Sequence, residues 1–297
     1  MTDAWFTRAC PAPSQAHRQR AIARQRQLTK PEGALGRLET LAIELAALQG
    51  REQPQATRVP VLVFAGDHGI AAQGVSAYPA EVTVQMLRNF ATGGAAIAVL
   101  ARELGVPLHV WDVGSLADAP VSGVTCDKPR RGTDDFTAGP AMAAADLDAV
   151  FAAGRRAVSA ACGDGADLLL LGEMGIGNTT VAAAICHGLY GGTAEDWVGA
   201  GTGAAGAVLQ RNIAAVRDAV ARHEGQLSDP LEVLRRLGGR EIAAMAGAII
   251  AARHEKVPVI LDGYAVTAAA AVLHAMDPSA LDHCLAGHVS AEKAHRV

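Results

Sequence analysis

The feature that most constrains this chain is an alternation starting at Val59: short apolar runs ending in a glycine or an acid, separated by alanine-rich stretches long enough for helices. The runs Val59 to Ala65, Pro107 to Val113, Leu168 to Gly172 and Val257 to Asp262 are almost wholly apolar, as strands are in a parallel sheet covered on both faces. Asp196 to Val198 is a weaker candidate strand. The alternation predicts an α/β fold with a parallel sheet flanked by helices. Such sheets bind ligands beyond the carboxyl ends of their strands, so the residues after each run are the first site candidates.

Upstream the texture differs. Gln15 to Leu28 is rich in Arg, Gln and Ala, Pro31 interrupts it, and Leu35, Leu38, Leu41 and Leu45 then recur at helical spacing. Residues 1–52 are therefore expected to form a helical appendage, and the α/β domain is expected to occupy 53–280. A chain of 297 residues, 50% hydrophobic and 19% charged, can bury a core of that size. Its net charge of −4 gives no electrostatic footprint for nucleic acid, and Arg18, Arg20, Arg24 and Arg26 read as a solvated helix face. The five cysteines form no C-x-x-C pair, which fits reduced thiols in the cytoplasm. The alanine-rich segments 241–252 and 265–276 are too short and interrupted to span a bilayer.

The richest of the strand ends is Gly172 to Thr180, Gly-Glu-Met-Gly-Ile-Gly-Asn-Thr-Thr. Gly175 and Gly177 allow backbone N–H groups to approach an anion, while Asn178, Thr179 and Thr180 can cap the next helix and donate hydrogen bonds. Glu173 would repel a phosphate, so it is expected to face a cationic or N–H-bearing part of the ligand, or to act as a base. Gly199 to Gly203 lacks the spacing of a dinucleotide fingerprint and reads either as a second wall of one phosphate site or as a tight turn. Asp67 and His68 suit a structural or orienting role better than a metal site, since no further ligands are identifiable by spacing. Asp112 and Asp262 can cap neighbouring loops. Ser290 can cap a helix and offer its hydroxyl to a phosphate. Glu292 and His295 lack the second Glu-x-x-His of a di-iron set.

Several strings in one order then resemble a single family, the nicotinate-nucleotide:dimethylbenzimidazole phosphoribosyltransferases. They are Lys30 to Glu39, Phe64 to Gly69, Val75 to Pro79, Gly93 to Ile97, Gly172 to Thr180, Gly199 to Gly203, Glu241 to Met245, Leu261 to Gly263 and Gly287 to Glu292. The resemblance implies a homodimer with a Rossmann-like domain and a small helical domain built from both chain ends, with 281–297 starting the C-terminal part. It also implies a reaction without cofactor or metal. A benzimidazole nitrogen attacks the ribose C1′ of nicotinate mononucleotide, giving α-ribazole 5′-phosphate and nicotinate in cobalamin biosynthesis.

By the same resemblance Gly175, Gly177, Asn178, Thr179, Thr180, Gly201, Thr202 and Ser290 hold the mononucleotide, and Ser76, Tyr78, Gln85 and Met174 surround the azole beside Glu173. The family's usual basic residue after the second glycine cluster is replaced by Asn212, so phosphate neutralisation is expected to pass to Arg211. The family continues into a Leu-Gly-Glu-Gly segment whose glutamate is the expected base. This sequence ends at Val297, which reads as a truncation and makes Glu173 the candidate base; the alternative is a slow or non-catalytic nucleotide- and azole-binding protein.

Overall fold

The computed structural model describes residues 5–199 and 206–296. The chain enters through a helical pair, α1 (Gln15–Gln25) and α2 (Arg37–Gln49). Ser14 caps α1 by accepting from the His17 N–H, and α2 ends on Gly50 in the left-handed region. Arg18 and Glu44 pair across the two helices. The Arg37 guanidinium also reaches the Ala286 carbonyl at 3.3 Å, tying α2 to the far end of the chain.

From β1 (Val61–Gly66) onward the order is α3 (Glu81–Ala91), α4 (Ala96–Leu104), β2 (Leu108–Gly114), β3 (Thr125–Cys126), α5 (Ala144–Cys162), β4 (Leu169–Met174) and α6 (Asn178–Tyr190). There follow α7 (Ala194–Trp197), α8 (Gly206–Arg222), α9 (Pro230–Leu237), α10 (Arg240–His254), β5 (Val259–Leu261), α11 (Tyr264–Met276) and β6 (Cys284–Ala286). The strands form one sheet in the order β3-β2-β1-β4-β5-β6, with every pairing parallel. This is the Rossmann order, which reverses direction between β1 and β4 and opens a crevice at their carboxyl ends.

Strand β1 shows how the two faces are built. Leu62 and Phe64 point into a large core shared with α5, α6, α10 and α11, while Val61, Val63 and Ala65 point into a smaller one with Leu87 and Phe90 of α3 and Ala98 of α4. Period-two alternation buries both sets because helices cover both sides. Helix α10 is buried from Arg240 to Arg253, so it is the central helix rather than a surface one.

Several sequence expectations change here. Asp196 and Trp197 lie in α7, not in a strand, because Thr193 and Asp196 form a reciprocal capping box that outweighs a short apolar triplet. The short edge strands β3 and β6 lacked a sequence signal, being two and three residues long. Strand β6 also carries the stretch after residue 281 back into the sheet beside β5. The strands are up to two residues shorter at their starts than the apolar runs suggested.

Candidate functional site

The crevice lies where β1 and β4 run side by side, Phe64 opposite Glu173 and Ala65 opposite Met174. Beyond β1 the chain continues through Asp67 and His68; beyond β4 it turns through Gly175 to Gly177 into α6. Gly177, the residue before α6, has φ +93°, a left-handed conformation that a side chain would strain. At this turn the Asn178 N–H donates to the Gly175 carbonyl at 3.2 Å and the Thr180 N–H to the Gly177 carbonyl at 3.0 Å, so the turn's own backbone tightens the start of α6. The Ile176 N–H is held by the Thr83 hydroxyl at 3.2 Å, which pins the loop to α3.

Two cavities meet at Glu173. One, of about 420 Å³, is lined by Val75, Ser76, Tyr78, Val82 and Met86 on one side and by Glu173 to Thr179 and Asn212 on the other. The second, of about 240 Å³, is mostly apolar, with Val61, Val63, Phe90, Ile97 and Leu170 among its lining and Asp262 and Gly287 at one end. Burial pushes the Glu173 carboxyl up to about 7. The Asn178 amide, which donates to Oε2, and the His68 charge pull it down; Glu241 and Asp262 push it further up. A carboxyl balanced near neutrality between two cavities can accept a proton from a bound N–H acid.

Under this site lies a buried pair: His68 Nε2 is 3.0 Å from Glu241 Oε1, and both side chains are fully enclosed. Burial lowers the proton affinity of His68, but the adjacent Glu241 carboxylate outweighs it and the net direction is upward. Asp67 Oδ2 accepts the Leu116 N–H at 2.8 Å, and burial raises its carboxyl. Asp112 accepts from the Gly114 and Ser115 N–H groups, the Ser115 hydroxyl and Lys128, the loop-capping role expected of it.

The structure thus gathers Ser76, Tyr78, Glu173, Met174, Gly175, Gly177, Asn178 and Thr179 around one space. Thr180 is buried behind it. Gln85 instead lines a separate open cavity of about 890 Å³ with Arg88, Leu116 and Arg131, because Val82 and Met86, four apart on α3, take the face toward Met174. Asn212 lines the central cavity, whereas the exposed Arg211 donates from Nε to the Gly74 carbonyl at 2.9 Å. Ser290 lies by a short 3-10 turn rather than an α-helix; its hydroxyl accepts the Glu292 N–H and meets His295 Nδ1 at 2.9 Å. Gly201 and Thr202 lie outside the described residues. Among the described residues no group of three acid, His or Cys side chains could hold a metal ion, and no helix is long and apolar enough to cross a membrane.

Sequence reasoning did not single out Val82, Met86, Phe90 or Ile97 as lining residues, since apolar helix positions read as core. Glu241 left one signal: a charged pair, Arg240 and Glu241, opens a helix that is then apolar through Ala252.

Comparison with known proteins places this geometry. A family profile described as phosphoribosyltransferase matches residues 10–297. The nicotinate-nucleotide–dimethylbenzimidazole phosphoribosyltransferase of Bradyrhizobium sp. (strain ORS 278) is 56% identical over 294 residues, covering 99% of this chain and 84% of the relative. The enzyme of the same name from Methylocella silvestris is 57% identical over 275 residues, covering 93% and 75%. A crystal structure of the Thermus thermophilus enzyme superposes with a TM-score of 0.87 at 44% identity, covering 95% of this chain and 84% of that one. None of these names supports a non-catalytic binding protein.

Proposed function

Because the chain belongs to the nicotinate-nucleotide–dimethylbenzimidazole phosphoribosyltransferase family, we propose that it transfers the phosphoribosyl group of nicotinate mononucleotide to 5,6-dimethylbenzimidazole, a step of cobalamin biosynthesis. The observation that carries this reading is the position of Glu173, where a carboxyl held near neutrality joins a cavity bordered by a helix N-terminus to an apolar one.

In the proposed reaction the azole nitrogen lone pair forms a bond to ribose C1′. The bond from C1′ to the pyridinium nitrogen breaks, and its electron pair stays on nicotinate. The leaving ring already carries positive charge, so no general acid is needed. The remaining work is to align the two rings, anchor the phosphate and remove the azole N–H proton. Glu173 takes that proton, and the Asn178 amide orients its carboxylate. The N-terminal end of α6 and the hydroxyl of Thr179 receive the phosphoribosyl group, with Asn212 beside them and Arg211 at the rim. Ser76, Tyr78, Met86 and Met174 form the wall against which the flat acceptor stacks.

Residues 1–52 are read as part of a small helical domain with the chain beyond β6; the contact from Arg37 to the Ala286 carbonyl ties that domain to the sheet edge. A homodimer is the assembly proposed. Leu100 and Leu104, one turn apart on α4, are 56% and 74% exposed and need cover. Chromatographic separation of nicotinate and α-ribazole 5′-phosphate, formed one for one, tests the function. Absence of product with the nucleotide and azole both bound would reject it.

A further inference from the structure

Three glycines from three different segments give up their side-chain space to one ion pair. A Cβ at Gly66, where β1 ends, would stand 2.6 Å from Glu241 Oε2; one at Gly175, just past β4, would stand 2.9 Å from His68 Nε2; and one at Gly239, ahead of α10, would collide with His68 Cε1. The pair excludes a methyl group at Gly66 and Gly239, and at Gly175 it does so together with the Gly66 carbonyl oxygen. Apart from their mutual contact, neither oxygen of Glu241 and neither ring nitrogen of His68 has a hydrogen-bond partner among the described residues.

An ion pair buried with so little further hydrogen bonding is a poor way to stabilise a core, because desolvation of both charges offsets their attraction. Its placement offers another role. Gly175, which rests on the imidazole, lies two residues beyond Glu173 on the same exit turn, and both charges act on the Glu173 carboxyl. We propose that His68 and Glu241 are positioning residues: a buried charged brace that holds the β4 exit turn in place and acts on the Glu173 carboxyl at its end. Among the described residues the groups that act most on Glu173 come from four elements: Asn178 from α6, His68 from the β1 exit, Glu241 from α10 and Asp262 from the β5 exit.

The sign follows from the order of influence. Glu241 raises the Glu173 carboxyl more than His68 lowers it. Replacing Glu241 with glutamine removes the stronger push and deprives His68 of the partner that keeps it protonated against burial. The net effect is a fall in the Glu173 midpoint.

The inference rests on Glu173 belonging to the reaction site, so its test reads ionisation rather than turnover. The full chain is labelled with ¹³C at glutamate carboxyls and ¹⁵N at histidine, and the Glu173 signal is identified by its loss in Glu173→Gln. The wild-type signal is expected to titrate near 7, and that of Glu241→Gln at a lower pH. His68 is expected to show an imidazolium at pH 7 in the wild type and a neutral ring in Glu241→Gln. An unmoved or raised Glu173 midpoint in a folded Glu241→Gln protein overturns the proposal and leaves a structural pair only. If that variant does not fold, the wild-type spectrum decides, since a neutral His68 at pH 7 overturns it equally. Failure of the transferase assay, by contrast, would reject the proposed reaction and leave these titrations intact.

Discussion

If Glu173 is held near 7 by its surroundings, its ionised form weakens the fold, and the extent can be worked out. The folded carboxyl binds its proton more tightly than an ordinary glutamate at 4.5. Between those values the unfolded chain has already lost the proton while the native chain keeps it. Stability must therefore fall as pH rises from 4.5 to about 7, and the loss is complete above the folded value. A shift of that size corresponds to roughly 3 kcal/mol. Glutamine at position 173 keeps a carbonyl oxygen to accept from Asn178 and carries no charge, so Glu173→Gln escapes the penalty. Urea unfolding of wild type and variant at pH 5 and pH 8 is the assay. The two should be nearly equal at pH 5, and the variant should be more stable by about 2 to 3 kcal/mol at pH 8. Its turnover should meanwhile fall about 10²- to 10⁴-fold, as expected on losing a general base. A stability difference that is the same at both pH values would refute the reasoning, because a packing effect has no reason to follow the ionisation of one carboxyl.

Other perturbations reach different parts of the site. Tyr78 is 54% exposed at the mouth of the larger cavity, so Tyr78→Ala should raise the KM for the azole about 2- to 10-fold with little change in kcat, while Tyr78→Phe should leave both unchanged in steady-state assays. Gly177→Ala forces a side chain onto φ +93°; chemical denaturation should show a loss of about 1 to 2 kcal/mol, and calorimetry weaker nucleotide binding. Burial pushes the Cys162 thiol up to about 11 and those of Cys186 and Cys284 up to about 12, whereas Cys126 is exposed. Titration with a thiol reagent at pH 8 should therefore show Cys126 reacting first and these three only on unfolding.

Much of the sheet was legible because four of its six strands are apolar runs with polar ends, a pattern fixed by burial on both faces. The edge strands β3 and β6 were not, since two or three residues contain no period to read and their pairing is decided by the neighbouring strand. Within the site, the turn from Gly175 to Thr179 was visible in sequence because a sharp strand-to-helix turn needs glycine where φ is positive, as at Gly177. Gln85 shows the limit of that reasoning. A polar residue in a helix near the site is an attractive candidate, yet whether it faces the cavity depends on the rotation of α3, which Val82 and Met86 fix through packing. The partnership of His68 with Glu241 spans 173 positions of sequence and exists only because α10 crosses under the ends of β1 and β4.

The electrostatics of Glu173 also bear on the order of events in the proposed reaction. A carboxyl at about 7 would be only half ionised at neutral pH and a weak acceptor in the empty site. Nicotinate mononucleotide brings a pyridinium, and a positive charge placed beside a carboxylate lowers its proton affinity by about one to three units. Binding of the first substrate therefore holds Glu173 in the ionised form. As the bond to C1′ breaks, the pyridinium becomes a neutral ring and that influence disappears, so the carboxylate regains affinity for a proton at the stage when the azole N–H becomes acidic through its new bond to carbon. A carboxyl at an ordinary value would be ionised throughout but would bind the transferred proton more weakly. In the proposed reaction, the burial that weakens the fold above pH 7 is thus the same property that would make Glu173 an effective acceptor late in the transfer.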